Sequence, residues 1–416
     1  MILWDVVEEH LDDAEFLWAQ WERSLVSPVH SLAEVALGEE ERLLANLDGL
    51  VVGGEPVRAR LLVPALESDL PALRSAAALA LLLSGDGAAA APVLALLRDE
   101  DPRRRASASR ALGLARVSGV DEALLAVLHD APPTAQAAAL EALAIRRTSP
   151  GPALSGLRPG DHPALLSAAY RCASASVEKL PAGLLVESLT ASDPSLRDAA
   201  LAAGLVLGLP QAWTTCQKLV RRGHADALPG DESLPLLFAA TLGEVREVEP
   251  LVNATSSPAL RRAAVWALGY SGRVSAAETC LTLLADPEVG RLAGEAFAAI
   301  TGLPVTAPLT AAEGESDDTP VLPRLDAAAV EAWWGANRAR FERGRRYLSG
   351  LPWGRESVLS LLARGPMRRR RGVALEVAVR TRGRVQVETT ALTARQEAEL
   401  RGAAALQEGD LERAFS

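Results

Sequence analysis

Apolar residues recur along this chain at i, i+4, i+7 and i+8 rather than at every second position. That spacing belongs to helices with one buried stripe. In residues 257–273, SPALRRAAVWALGYSGR, the stripe is Leu260, Ala264, Ala267 and Leu268, and Gly269 or Gly272 ends the helix. The same grammar returns at 68–85, 99–116, 160–173, 192–208 and 285–302. Each opens on a polar residue, in most cases Asp or Ser, with Pro at the first helical position in most of them, where its missing N–H costs nothing. Arg74, Arg104, Leu166, Arg197, Arg261 and Arg291 occupy equivalent places, in steps of 30, 62, 31, 64 and 30 residues. Residues 131–144 fill the first double step, and 234–243 sit off centre in the second, so the units there are unequal. A second helix follows each first one, as at 91–100 and 275–286. Such a pair cannot bury its stripe alone, so about seven pairs stack into a solenoid.

Composition agrees. Apolar residues make up 49% of the chain and aromatics only 4%, with Ala and Leu carrying most of the apolar count. This suits closely packed helices rather than a β-sandwich. The uncharged run 199–217 is long enough to raise the question of a membrane span. Gly204, Gly208 and Pro210 interrupt it in phase with the repeat, and it reads as two helices. Cys172, Cys216 and Cys280 stand singly in apolar stretches, as in a reducing compartment. The N-terminus is acidic where an export signal is basic. The expected location is cytoplasmic.

The Asp-Pro, Arg, Ala-Ala and Ala-Leu-Gly pattern resembles HEAT repeats, in particular the short HEAT-like repeats of phycobilin lyases. That resemblance implies that the Asp and Arg residues, Arg261 and Arg262 among them, support packing between units. GYSGR then reads as a helix stop, since it lacks the spacing and preceding strand of a nucleophile elbow. Residues 9–54 are not a repeat. His10, Ala14–Trp18, Pro28–His30 and Leu47–Leu50 resemble the opening of a bacterial HEAT-repeat family often encoded near type VI secretion genes, although Val29 separates Pro from His and Asn46 stands where a His is expected. Residues 291–303, 330–350 and 368–381 resemble the closing segment of that family. The family has no assigned activity, so the resemblance implies a context and no mechanism.

The expected architecture is all-α: a HEAT-like α-solenoid with a helical N-terminal cap and a small C-terminal helical module containing one short strand, at 384–390. The divisions are an acidic cap at 1–58, repeats at 59–303, a Pro-rich acidic linker at 304–325 and a basic module at 326–416. Asp326 caps the first helix of that module, and Thr393 with Gln396 fits a capping box for the last. Charge is split between the ends. Residues 1–55 hold thirteen acids and two bases, and residues 326–416 hold seventeen Arg and eleven acids. Lys179 and Lys218 are the only lysines.

No sequence feature points to catalysis. The five His lie apart, with no HExxH, and His10 among acids is the least improbable ligand, so no metal site is expected. Neither Lys completes a P-loop, and no dinucleotide fingerprint follows a strand. No catalytic residue and no cofactor are expected. Two features are candidates for a partner surface: the stripe Phe16, Trp18 and Trp21, whose first expected role is to cover the end of the solenoid, and the run Arg368, Arg369, Arg370 and Arg371, first expected to be solvated or paired within the chain. If Pro366 starts a helix, these arginines fall at its positive end and need an acidic offset. The candidates for that offset are residues 313–318 and the acidic N-terminus. The expected function is a non-enzymatic scaffold or adaptor that binds protein, serving a type VI secretion system. Nucleic-acid binding through Arg368–Arg371 is the first rival, disfavoured because the chain is acidic and has no nucleic-acid motif. A HEAT-like lyase-type enzyme is the second. No membrane association is expected, and the sequence leaves the oligomeric state open.

Overall fold

Proline sets where most of the repeat helices begin. The computed structural model describes residues 2–223, 233–306, 309–310 and 322–412, the side chain of residue 182 excepted. The chain divides into two compact units. Unit 1 is Met1–Val26, Leu32–Leu207 and Glu388–Ala398; unit 2 is Ser27–Ser31, Gly208–Val387 and Glu399–Ser416.

Unit 1 opens with α1 (Trp4–Ser24), followed by a helical stretch that begins at Leu32–Val35, passes through the π-helical turn Ala36–Glu40 and continues as the helix Glu41–Val52. The repeat helices are α2 (Pro71–Leu83), α3 (Pro102–Leu114), α4 (Pro133–Arg146), α5 (Pro163–Ser176) and α6 (Pro194–Leu207). Each carries Pro at its first position, and polar side chains close the ends. Asp101 accepts from Arg103 N at 2.8 Å, His162 Nδ1 from Ala164 N at 3.3 Å and Asp193 from Ser195 N at 2.9 Å. Successive helices pack on one another from α2 to α6, and α1 with Glu41–Val52 covers α2. The contact faces are mostly Ala, as at Ala76–Ala78 and Ala137–Ala139, which lets backbones approach closely. Arg side chains stitch neighbouring repeats: Arg104 pairs with Glu67, Arg146 with Asp121, and Arg171 with Glu141.

Unit 2 repeats the scheme with α7 (Leu234–Leu242), α8 (Arg261–Ser271) and α9 (Gly290–Thr301), packed in that order. Here Pro258 and Pro287 open turns, and the helices start three residues later. Arg261 pairs with Asp286 at 2.5 Å and Arg262 donates to Glu288 O at 3.1 Å, so both arginines tie one repeat to the next within unit 2. A two-stranded antiparallel hairpin, β1 (Tyr347–Leu348) and β2 (Leu351–Pro352), sits on α9. The helix Arg355–Arg364 and then α10 (Met367–Arg380) follow. The architecture is thus all-α with HEAT-like helical repeats and one small hairpin.

Two expectations need correction. Residues 384–390 form no strand. Val385 N instead donates to Thr381 Oγ1 at 3.2 Å, closing a turn directly after α10. The hydrophobic alternation there is real, but no strand pairs with it. Thr393 and Gln396 form no capping box. The helix runs Thr393–Ala403, and its Thr393 side chain is spent on Glu40, while Gln396 Nε2 donates to Thr389 O and Ala391 O. Asp326 does cap its helix, accepting from Ala329 N at 2.8 Å. The run 199–217 is two helices broken at Gly208, and among the described residues no helix is long and apolar enough to cross a membrane.

GYSGR is a helix stop. Gly272 ends α8 with φ 64°, and an added Cβ would meet Tyr347 O at 2.4 Å. Gly272→Ala is expected to cost unit 2 about 2 kcal/mol, from the left-handed backbone and the contact with β1. Thermal unfolding checks this; an unchanged midpoint overturns it.

Candidate functional site

Among the described residues, no further repeat helix follows α9, the last repeat helix of unit 2. Gly294, Ala298, Ala299 and Gly302 line a cleft of about 490 Å³ there, with Leu325 packed closely on Gly294 and the Ser349 backbone on Gly302. Leu303, Val305, Leu322, Pro323 and Leu325 form one wall, and Pro28, Val29, Leu361 and Pro366 another. Two residues at its mouth, Val29 (47% exposed) and Val305 (40%), are among the most exposed large apolar side chains of the unit. The wall holds because the described ends of 304–325 fold back: Thr310 bridges Leu325, Asp326 N donates to Leu309 O at 2.9 Å, and Arg291 donates to Leu322 O at 2.6 Å. An apolar recess of this size is the ordinary form of a ligand or peptide site.

One acid and one base line it. Glu295 Oε1 accepts from Arg369 Nε at 2.7 Å, and Arg368 Nη1 lies 3.5 Å from Glu295 Oε2. Arg369 also donates to Trp266 O at 3.1 Å and stacks over Tyr270, 4.8 Å from its centroid. Burial works against its charge, but Glu295 and Tyr270 override that and hold its pKa above the ordinary value. Gly269 permits the approach: a Cβ there would stand 2.8 Å from Arg369 Nη1.

The run Arg368–Arg371 therefore does not form one surface patch. Pro366 does start α10, and the run occupies its first turn. The first N–H groups are met by unit 2 backbone, Met367 N by His30 O at 2.8 Å and Arg368 N by Ser27 O at 3.0 Å. Glu295 supplies an acidic offset to Arg368 and Arg369. Residues 313–318, a candidate for that role, lie outside the described residues, as does His224. Arg370 is fully buried, donates to Leu362 O at 2.6 Å, and burial pushes its pKa down to about 10. Arg369 and Arg370 are thus spent inside the fold; Arg371 is exposed and Arg368 partly so.

The aromatic stripe divides likewise. Trp21 is fully buried and donates to Glu40 at 2.8 Å, and Trp18 meets it edge to face with centroids 5.5 Å apart. Phe16 is 57% exposed and is the one aromatic of the three that a partner could reach. His10 Nδ1 is bonded to Asn46 Oδ1 at 2.8 Å. Among the described residues no group of three His, Cys, Asp or Glu could hold a metal ion.

Glu295 gave no sign in the sequence, standing inside a stretch of small residues that reads as a packing face. The small residues at 294, 298, 299 and 302 were the available signal, but the same spacing fills every buried helix of the array.

The cysteines are shielded from solvent. All three are buried, and burial pushes the Cys172 and Cys280 thiols up to about 12. Native protein at pH 8 is expected to react with a thiol-specific disulfide reagent at least roughly a hundredfold slower than unfolded protein. Fast labelling of the native chain would contradict this.

No protein-family profile matches the chain, and no curated protein does. Among solved structures it is similar to YibA of E. coli, at 14% identity, covering 62% of this chain and 96% of that one, with a TM-score of 0.38. It is also similar to human deoxyhypusine hydroxylase in complex with glycerol, at 20% identity, covering 68% and 94%, with a TM-score of 0.24. Scores at this level carry no argument about function.

Proposed function

We propose that this protein is a non-enzymatic scaffold or adaptor that binds another protein. The observation that carries the reading is the apolar cleft on α9, with Val29 and Val305 exposed at its mouth. Repeat stacks of this kind lend themselves to partner recognition, because their rigid helices hold such faces in place. The polar groups that line the cleft, Glu295 and Arg369, are occupied with each other. The resemblance of residues 9–54 and of the closing segments supports service to a type VI secretion system, and the single cysteines with the acidic N-terminus support a cytoplasmic location. Nucleic acid is the weaker reading, since half of the Arg368–Arg371 run is buried and cannot meet phosphates.

The test is affinity purification of the tagged full chain from its own cells after crosslinking, with mass spectrometry. A secretion component recovered in stoichiometric amount supports the reading. Recovery of nucleic acid alone, or of no partner, overturns it. Truncation of residues 1–55 is unsuitable, because Leu17, Trp21, Leu43 and Leu47 are core residues of unit 1.

A further inference from the structure

We infer that Glu388–Ala398 is a clasp whose hold on unit 1 stabilises the fold of unit 2. The segment belongs to unit 1, although the chain enters it from Val387 and leaves it at Glu399, both of unit 2. Within unit 1 it is fastened at two points. Glu40 accepts from Thr393 N at 2.8 Å and from Thr393 Oγ1 at 2.5 Å, and Arg110 donates to Thr390 O at 2.7 Å. Gln396, fully buried, braces the segment from inside by donating to Thr389 O and Ala391 O. The stretches on either side are fixed in unit 2: Arg380 donates to Leu411 O at 3.1 Å, and Arg355 Nε to Leu406 O at 2.6 Å.

The effect on unit 2 is entropic. Gly208–Val387 leaves unit 1 after Leu207 and rejoins it at Glu388. While the clasp is fastened, unfolding of unit 2 releases a closed loop of about 180 residues rather than a chain with a free end. A closed loop gains less conformational freedom, so the folded form is favoured, as it is by a disulfide that closes a long loop. Unlike a disulfide, the clasp can let go. Unit 2 then unfolds at the cost of the bonds made by Thr390 and Thr393, and the smaller of the two costs governs. Weakening those bonds lowers the second route and therefore loosens unit 2. Linkage makes the relation reciprocal: folded unit 2 holds both ends of the clasp and raises its effective concentration at Glu40.

Hydrogen exchange of the full chain in low urea, read peptide by peptide with mass spectrometry, distinguishes the units. The slow amides of α8 and α9 report on unit 2, and those of α4 and α5 on unit 1. Glu40→Ala is expected to speed exchange in α8 and α9 by roughly tenfold or more. Thr393→Val keeps the shape of the side chain and the backbone bond, disturbs the fold least, and is expected to speed it by roughly threefold or more. Leu124→Ala is the comparison, since Leu124 is fully buried in the helix Val120–Asp130 of unit 1. It is expected to speed exchange in α4 and α5 and to leave α8 and α9 as they are. Unchanged α8 and α9 in both clasp variants would overturn the inference. Equal acceleration of α8 and α9 by Leu124→Ala and Glu40→Ala would overturn it too, because the units would then unfold together by another route.

Discussion

Replacing Glu376 with glutamine is expected to destabilise unit 2 by roughly 3–5 kcal/mol, the usual cost of removing one partner from a buried ion pair. Glu376 is 2% exposed and lies between two guanidinium groups, Arg346 at 2.7 Å and Arg380 at 2.8 Å. Both arginines also donate to Thr241 O, at 2.9 and 3.0 Å, and their guanidinium carbons stand 4.7 and 4.8 Å from the centroid of Trp353. The network joins α7, the residue before β1, and α10. Without the carboxylate, two positive charges remain in a space that water does not reach. Urea unfolding followed by far-UV circular dichroism reports the loss, and a midpoint unchanged in Glu376→Gln would show that the charges are solvated. Burial by itself raises the Glu376 pKa, but Arg346 and Arg380 override it and leave it below the ordinary 4.5. A carboxylate lowered on folding contributes stability above the unfolded pKa and loses it as pH falls through the folded one. The difference between wild type and Glu376→Gln is therefore largest at neutral pH and shrinks below about pH 4.5. Replacing all three residues at once, Glu376→Leu with Arg346→Met and Arg380→Met, should recover much of the loss, since no lone charge is then left buried.

The repeats were legible because their signals are local. Pro after a cap residue, a stripe of Ala and Leu, and a closing Gly are each readable within fifteen residues, and α2 to α6 begin on the Pro that the sequence marks. Long-range chemistry was not legible in that way. Glu295 and Arg369 are 74 positions apart in sequence, and Glu40 and Thr393 are 353 apart. Nothing in either neighbourhood announces the pairing. The arginine run illustrates the difference. Its placement in a first helical turn and its need for an acid followed from the helix dipole. Which acid, and that Arg369 and Arg370 would be buried, depended on α9 and on the backbone of Ser27–Ser31. The reading of 384–390 as a strand failed for a related reason, because alternation shows a half-buried segment but cannot supply a partner strand. The cleft shares a signal with the core: small residues on a helix face are the same whether another helix covers them or none does.

Unit 1 holds a buried carboxylate whose pH dependence has the opposite sign. Glu40 closes a π-helical turn, Ala36–Glu40, that re-aims its side chain inward. There it accepts from Trp21 Nε1 at 2.8 Å, Thr393 N at 2.8 Å and Thr393 Oγ1 at 2.5 Å. Glu388–Ala398 is thereby fastened to the N-terminal helices of its own unit, and Arg110 adds a second tie, joining Glu22 at 2.8 Å and Thr390 O at 2.7 Å. Glu40→Ala strands the indole and backbone N–H groups without acceptors and is expected to cost about 3 kcal/mol. Hydrogen exchange of residues 388–398 is expected to rise first, because Thr393 bonds Glu40 through both its backbone and its side chain; unchanged protection there would exclude Glu40 as the fastening. Burial raises the Glu40 pKa, and the three hydrogen bonds only partly counter it, while nearby Glu397 adds to the rise. A carboxylate raised on folding favours its protonated form, so its contribution is fully present below the unfolded value of 4.5 and is lost as pH rises through the folded value. Glu40→Gln removes that dependence. The midpoint difference between wild type and Glu40→Gln should therefore move against the wild type as pH is raised from about 4.5. A flat difference over that range would mean that Glu40 is ionised with its ordinary pKa and that the three hydrogen bonds fully offset its burial.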